Sequence, residues 1–157
     1  MNPMLCAATA LLVASSVSAQ ATPADDAVRA VTTWLDKFNA GDMNAFYSAH
    51  SASPTIIDEF APFAWTGKDA PHVWAKAFET DAKAHGISYP RMDYAAPIRA
   101  ESDGTSAYIV LPTVYRIKQN GRSMSAAGTM TFVMMHGADG WKIASWTYAA
   151  PVPAPDR

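Results

Sequence analysis

The chain has 157 residues, and its 12 Lys and Arg against 14 Asp and Glu give it a formal charge of −2. A near-neutral chain with both signs interspersed lacks the basic surface that nucleic-acid binding requires, so no nucleic-acid partner is expected. Half of the residues are hydrophobic, which argues against intrinsic disorder. Beyond the first nineteen residues no apolar run approaches the ~20 residues of a membrane span.

Residues 1–19 contain no charged side chain and are predicted to be a cleaved export signal. Small residues in the tripeptide Val17-Ser18-Ala19 occupy the positions that export peptidases prefer. We therefore predict cleavage after Ala19 and a periplasmic or secreted protein. Cleavage would remove Cys6, the sole cysteine, so no disulfide or thiol nucleophile is expected afterwards.

Helices are predicted in the first half of the remaining chain, after a linker over residues 20–25. Apolar residues recur at three- and four-residue steps, as on one face of a helix. Aspartates precede these segments and glycines follow two of them, as at helix ends. The predicted helices cover residues 25–41, 43–50 and 69–85. Between the last two, residues 54–58 indicate a short strand and residues 59–67 an aromatic-rich loop.

The second half of the chain is predicted to be an antiparallel sheet. Turn signals, including Asn120-Gly121, separate four runs of alternating residues. These runs cover residues 89–100, 105–118, 122–136 and 141–149. Helices followed by such strands indicate an α+β domain over residues 26–149. The proline-rich residues 150–157 are predicted to be disordered.

Strict alternation assigns side chains to the two faces of the sheet. In the strand from residue 122, the Met and Phe side, which includes Met130 and Phe132, is expected to face the helices. In the last strand, alternation puts Trp146 and Tyr148 on the outer face. Two large exposed aromatics predict a homodimer through that face, or a tail folded over them.

Several short motifs in order along the chain resemble the NTF2-like superfamily, in particular its SnoaL-like and ketosteroid-isomerase-like members. They are Asn39-Ala40-Gly41-Asp42, Asp58 after a short strand, Gly67-Lys68-Asp69-Ala70 and Gly140-Trp141-Lys142-Ile143. The resemblance covers roughly residues 26–149. It implies a cone of three helices on a curved sheet around an apolar pocket. Function is implied less firmly, because this fold carries isomerases, dehydratases and binding modules.

The resemblance implies that Asp58 occupies the position of the ketosteroid isomerase base, seventeen residues after Gly41. The two positions that supply the isomerase's hydrogen-bond donors fall on Trp34 and near Met130. Trp34 has one indole N–H, and Met130 donates nothing. Ketosteroid isomerase activity itself is therefore disfavoured.

Asp58 is the first candidate for a catalytic group, because partial burial at the end of an apolar strand would raise its pKa toward a general base's range. The alternative is a structural carboxylate that caps loop amides or pairs with Lys68. His50 is a second candidate, as an acid/base partner of Asp58, by analogy with dehydratases of the superfamily. The four histidines lack metal-site spacing, so no metal is expected.

The candidate ligand-binding residues are apolar or aromatic. The loop aromatics could form either a lid over a ligand or a plug for the pocket. The predicted ligand-binding set is Trp34, Phe63, Trp65, Tyr115, Met130 and Phe132.

The sequence thus favours an exported domain that binds a small apolar molecule and carries no complete catalytic set. The alternative is a cofactor-free lyase or isomerase with Asp58 as general base on an apolar carbonyl or cyclic substrate. Neither interpretation requires a cofactor.

Overall fold

A computed structural model describes residues 21–156, and the predicted export signal lies outside these residues. The described chain contains three helices on one large sheet, which is the α+β arrangement that was predicted. The helices are α1 (Pro23–Asn39), α2 (Met43–Ser48) and α3 (Ala70–Ala84). The strands are β1 (His50–Ile57), β2 (Ala64–Thr66), β3 (Ile87–Tyr94), β4 (Arg99–Ser102), β5 (Ser106–Gln119), β6 (Arg122–Gly137), β7 (Gly140–Ala149) and β8 (Ala154–Pro155).

The sheet is mixed rather than fully antiparallel. Its main order is β2-β1-β7-β6-β5-β3, with β4 also paired to β5 and β8 to β6. The pair β1–β7 is parallel, whereas the other strand pairs are antiparallel. A parallel pair requires a long connection, and here all of α3 and β3 to β6 lie between the two strands. Among residues 21–156, no helix is long and apolar enough to cross a membrane.

Helix α1 begins two residues before its predicted start. Thr22 caps it: the threonine hydroxyl accepts from the Asp25 N–H, and the Asp25 carboxylate accepts from the Thr22 N–H. Its apolar stripe buries Val31, Trp34 and Leu35 against the sheet. Burial of these side chains, rather than helix propensity alone, fixes α1 in place.

Two predicted segments differ in detail from the structure. Residues 89–100 form two strands, β3 and β4, because residues 95–98 include Pro97, which has no N–H to donate. On α3, the apolar spacing predicts Val73 on the inner face, but Val73 is 54% exposed and the buried face contains Trp74. Trp74 stands four residues before Phe78, so the two share one face of the helix.

Trp146 and Tyr148 do not lie on the outer face of the sheet, contrary to the prediction. Ile143 pairs with Met134 and Ser145 with Val133, so Ala144 is an extra residue in β7. Such a bulge reverses the alternation, and Ile143, Trp146 and Tyr148 are all buried on the inner side. Trp146 and Tyr148 therefore cannot form the predicted dimer interface on the outer face. Dimerisation itself stays a prediction.

The tail predicted to be disordered is described as far as Asp156 and folds back along β6. Strand β8 pairs with Met124 and Ser125, and the Asp156 N–H donates to the Ser123 carbonyl. Where the chain leaves β7, residues 149 and 150 pass close to Gly128 of β6. This approach requires a residue without a side chain, because a Cβ at Gly128 would lie 2.7 Å from the Ala149 oxygen. The tail therefore becomes part of the wall described next.

Candidate functional site

A cavity of about 570 Å³ lies between the helices and the inner face of the sheet. Its walls come from α1, the loop after β1, α3, strands β3, β5, β6 and β7, and residues 150–153 of the tail. A volume of this size is typical of small-molecule sites. The wall is mostly apolar and contains many aromatic side chains, with Trp34, Phe38, Phe60, Trp74, Phe78 and Trp146 among them.

Asp58 lies on this cavity, immediately after β1. One carboxylate oxygen accepts from the Trp74 indole N–H at 2.9 Å, and the other from the Glu59 backbone N–H at 2.8 Å. Burial raises the pKa of Asp58 above its usual range, although these two hydrogen bonds oppose the rise. The expected ion pair with Lys68 is not among the salt bridges of residues 21–156.

The aromatic loop closes back onto Asp58. The Asp58 N–H donates to the Phe63 carbonyl at 3.1 Å, and the Phe63 N–H donates to the Phe60 carbonyl at 2.8 Å. Phe63 lines the cavity while remaining 58% exposed, so it stands at the opening. The loop therefore both positions the carboxylate and forms part of the cavity mouth.

Two further carboxylates line the same cavity, Glu59 and Asp81. Loss of water around Glu59 and, next, the charge of Asp58 raise the pKa of Glu59 to about 7, even though the residue as a whole is exposed. Asp81 lies 3.2 Å from the Nδ1 atom of His85, which is also at the cavity. The mouth is thus acidic.

Three polar groups on the cavity wall have no hydrogen-bond partner within residues 21–156. They are the hydroxyls of Tyr115 and Tyr148 and the indole N–H of Trp34, and each side chain is more than nine-tenths buried. Among the described residues only one other buried polar side-chain atom, the Thr113 hydroxyl oxygen, lacks a partner. Buried polar groups are normally paired, so their concentration here points to a polar ligand atom.

Both tyrosines are hydrogen-bond donors at neutral pH. Burial raises the pKa of the Tyr115 and Tyr148 phenols, and the charges of Asp58 and Glu59 raise both further. The tyrosines and the carboxylates therefore line one cavity and influence each other's charge state. The two rings lie 6.1 Å apart, one on β5 and one on β7.

The structure brings together four of the six predicted ligand-binding residues. Trp34, Phe63, Tyr115 and Met130 line the cavity. Trp65 and Phe132 do not: both are buried in the core, with Trp65 packed on Phe60 and Phe132 packed edge-on against Trp34.

The structure does not bring His50 to Asp58. His50 is the first residue of β1 and Asp58 follows its last, His50 does not line the cavity, and no salt bridge joins the two among residues 21–156. His50 is 8% exposed, and both of its ring nitrogens are engaged. Nδ1 donates to the Phe46 carbonyl at 3.0 Å, and Nε2 accepts from the Trp146 indole N–H at 3.2 Å.

Sequence reasoning missed Trp74, Tyr148 and the role of Glu59. Trp74 had a signal, since it lies four residues before Phe78 on α3. Tyr148 had none, because a bulge in β7 cannot be seen in an alternating pattern. Glu59 was not among the candidates, because its relation to the cavity depends on the turn that returns the loop to Asp58. Within residues 21–156, no group of three or more His, Cys, Asp and Glu could hold a metal ion.

Residues 28–153 match the model of a SnoaL-like domain. Solved structures share the fold. A ketosteroid isomerase-like protein from Erwinia carotovora atroseptica is 20% identical, with a TM-score of 0.66, over 82% of this chain and 95% of its own. An NTF2-like superfamily protein from Salmonella enterica serovar Typhimurium is 16% identical, with a TM-score of 0.66, over 83% and 92%.

A hexachlorocyclohexane dehydrochlorinase is 10% identical, with a TM-score of 0.68, over 83% of this chain and 87% of its own. No curated protein sequence matches the chain. At these identities the solved structures support the fold, and the chemistry must be argued from the cavity itself.

Proposed function

The chain belongs to the SnoaL-like domain family, and from this premise we propose that it is a cofactor-free enzyme that moves a proton on an apolar carbonyl compound. Asp58 is the general base. The carbonyl oxygen accepts hydrogen bonds from the donors on the cavity wall. The observation that carries the proposal is one cavity with a partly buried carboxylate and three unpartnered buried donors.

The base side of the reaction depends on Asp58. Its ionised carboxylate takes a proton from the carbon next to the carbonyl, and the C–H electron pair moves onto the carbonyl oxygen as an enolate. The raised pKa of Asp58 favours this transfer, because a stronger base accepts the proton more readily. The Trp74 N–H holds the carboxylate in place through its 2.9 Å hydrogen bond.

The enolate oxygen requires hydrogen-bond donors. Of the two positions that supply such donors in the ketosteroid isomerases, only Trp34 carries one here. Met130 lines the cavity but donates nothing. The hydroxyls of Tyr115 and Tyr148 and the N–H of Trp34 are in the same cavity, and the part of the chain that the structure describes offers them no competing partner. Donors of this kind typically contribute roughly 10²–10³ in rate each. The enolate then collapses by reprotonation elsewhere, as in an isomerase, or by expelling a leaving group, as in a lyase.

Ligand binding without chemistry is the second candidate. It is supported by the same unpartnered donors, which any polar ligand atom could satisfy, and by the two hydrogen bonds that already engage Asp58. The volume of about 570 Å³ argues against a core filled by its own side chains. The two candidates differ only in whether Asp58 accepts a proton from the ligand.

Deuterium exchange distinguishes the two candidates. 2-Tetralone is an apolar cyclic ketone whose α-protons can be followed by proton NMR in D₂O. We expect the wild-type protein to accelerate α-proton exchange and Asp58→Asn to reduce that acceleration by at least about 100-fold with ketone binding retained. Asp139→Asn, a matched change on an exposed turn, serves as the control and should exchange like the wild type.

The pH profile adds a second criterion. Because the ionised form of Asp58 is required, the exchange rate should fall as pH drops through a pKa above the usual aspartate range. Equal exchange by wild type and Asp58→Asn, with the ketone still bound, would leave the binding-only interpretation standing.

A further inference from the structure

The charges that border the cavity are unbalanced. Three carboxylates line it, namely Asp58, Glu59 and Asp81, and none of the described lining residues is Lys or Arg. His85, in contact with Asp81, is the only basic side chain among them. A ligand that carried a carboxylate or phosphate would meet repulsion at this mouth, whereas a cation would find an unfilled counter-charge.

Aromatic residues line the same cavity as these carboxylates and neighbour them along the chain. Glu59 is followed in the chain by Phe60, and Asp81 follows Phe78 by three residues on α3. The Phe78 and Trp74 rings are stacked with centroids 5.2 Å apart, and the Phe60 ring lies 6.0 Å from Phe78 and 6.4 Å from Trp74. Ring faces attract cations within about 6 Å, so this wall combines both kinds of cation partner.

A second feature of the cavity shows that its ligand also has a hydrogen-bonding atom. The side chains of Tyr115 and Tyr148 are each more than nine-tenths buried, and their hydroxyls have no hydrogen-bond partner among the described residues. Both belong to the wall of the same cavity. The cavity therefore offers two kinds of polar contact, carboxylates at the mouth and neutral donors on the sheet.

We infer that the cavity takes an apolar amine, with the ammonium group between Glu59, Asp81 and the rings of Phe60, Trp74 and Phe78. This deepens the proposed function, since it names the class of substrate of the same cavity, an apolar carbonyl compound that also carries a basic nitrogen. The high pKa of Glu59 agrees with it, because a carboxylate without a counter-cation is costly to ionise.

A matched series of naphthalene derivatives tests this inference by calorimetry, without any need for turnover. The three probes are 2-(1-naphthyl)ethylamine, 2-(1-naphthyl)ethanol and 1-naphthylacetate, which share the apolar body and differ in charge. At pH 8 we expect the ammonium probe to bind about tenfold more tightly than the alcohol, and the carboxylate to bind most weakly. The advantage of the amine should shrink as pH falls below about 7, because Glu59 then becomes protonated.

Variants locate the effect. Glu59→Gln should remove most of the preference for the amine over the alcohol. Glu79→Gln makes the same charge change on α3, where Glu79 pairs with Lys83 and does not line the cavity, and it should keep the preference. Other titratable groups line the same cavity, namely Asp58, Asp81, His85, Tyr115 and Tyr148. The pH series is therefore measured in both variants.

Several results would overturn the inference. They are equal binding of amine and alcohol, tightest binding of the carboxylate, an identical preference in the two glutamine variants, or no binding of any probe at millimolar concentration. None of them bears on proton transfer, because the exchange assay with a neutral ketone tests Asp58 independently. Conversely, an inactive Asp58 would leave the amine preference measurable.

Discussion

Asp58 and His50 lie at opposite ends of β1 and can be compared directly. Each is a titratable group that accepts a hydrogen bond from a tryptophan indole, Asp58 from Trp74 and His50 from Trp146. Burial moves both pKa values toward the neutral form, upward for Asp58 and down to about 4 for His50. The two indoles pack against each other, with ring centroids 5.2 Å apart.

The difference between them is access. Asp58 borders the cavity and keeps lone pairs that a ligand could use, whereas both nitrogens of His50 are occupied by protein partners. A pKa shift alone therefore does not mark a catalytic group. His50 acts as an internal hydrogen-bond anchor for Trp146.

The largest expected effect is on the packing between the two sites. Trp146→Glu would bury a charge among Trp34, Trp74 and His50 and should destabilise the fold by on the order of 4 kcal/mol. Tyr108→Glu, on the outer face and 39% exposed, should cost less than about 1 kcal/mol. Urea unfolding measures both. A stable Trp146→Glu protein that merely becomes monomeric would restore the outer-face assignment.

The pH dependence of stability tests the His50 side of the comparison. Because the folded protein holds the pKa of His50 near 4 against 6.5 when unfolded, stability is fully present above pH 6.5 and is lost as pH falls toward 4. The loss should amount to about 3 kcal/mol across that window. In the variant His50→Gln, whose amide can accept from Trp146, this component should be absent.

The wild type and His50→Gln share Asp58 and Glu59, so their difference isolates the histidine. Those carboxylates have raised pKa values in the folded protein, so their protonation stabilises the fold as pH falls. This contribution opposes the effect of the histidine and is the same in both proteins. Parallel pH curves for the two proteins, measured by urea unfolding, would contradict the assignment of His50 as a buried neutral anchor.

A smaller effect is expected where the tail joins the cavity wall. A Cβ at Gly128 would lie 2.7 Å from the Ala149 oxygen and from the Ala150 Cβ, so Gly128→Ala should cost roughly 1–3 kcal/mol. Gly137→Ala, with nothing within 4 Å, should cost less than about 1 kcal/mol. A urea series measures both. Because Ala150 and Val152 line the cavity, Gly128→Ala should also weaken ligand binding.

The sequence predicted the fold well because its signals are local and repeated. Alternation along β6 correctly placed Met130 and Phe132 on the inner face, and apolar residues at three- and four-residue steps correctly predicted α1, whose stripe buries Val31 and Leu35. Asp58 was found by its distance from Gly41 in a family motif, and the structure places it on the cavity.

The site itself depended on features that are not local. A single extra residue in β7 turns Tyr148 inward, and no periodicity reveals one bulge. The surroundings of His50 could not be predicted either, because its burial and its hydrogen bonds to Phe46 and Trp146 depend on tertiary contacts. The tail was misjudged because prolines signal loops, whereas its order comes from pairing with distant β6.

The smallest expected change in stability is for two variants that each remove a buried, unpaired hydroxyl. Their comparison tests whether the Tyr115 hydroxyl takes part in the reaction. Tyr115→Phe removes a buried hydroxyl without a partner, so the fold should be unchanged or up to about 1 kcal/mol more stable. Thr113→Val does the same two residues away on β5, at a side chain that does not line the cavity. Both variants should therefore match or exceed the wild type in urea. Only Tyr115→Phe should slow the exchange of 2-tetralone, by about tenfold or more. Of these two hydroxyls, only that of Tyr115 belongs to a residue that lines the cavity. Equal exchange in the two variants would show that the unpaired Tyr115 hydroxyl is a packing defect and would leave Tyr148 and Trp34 as the donors.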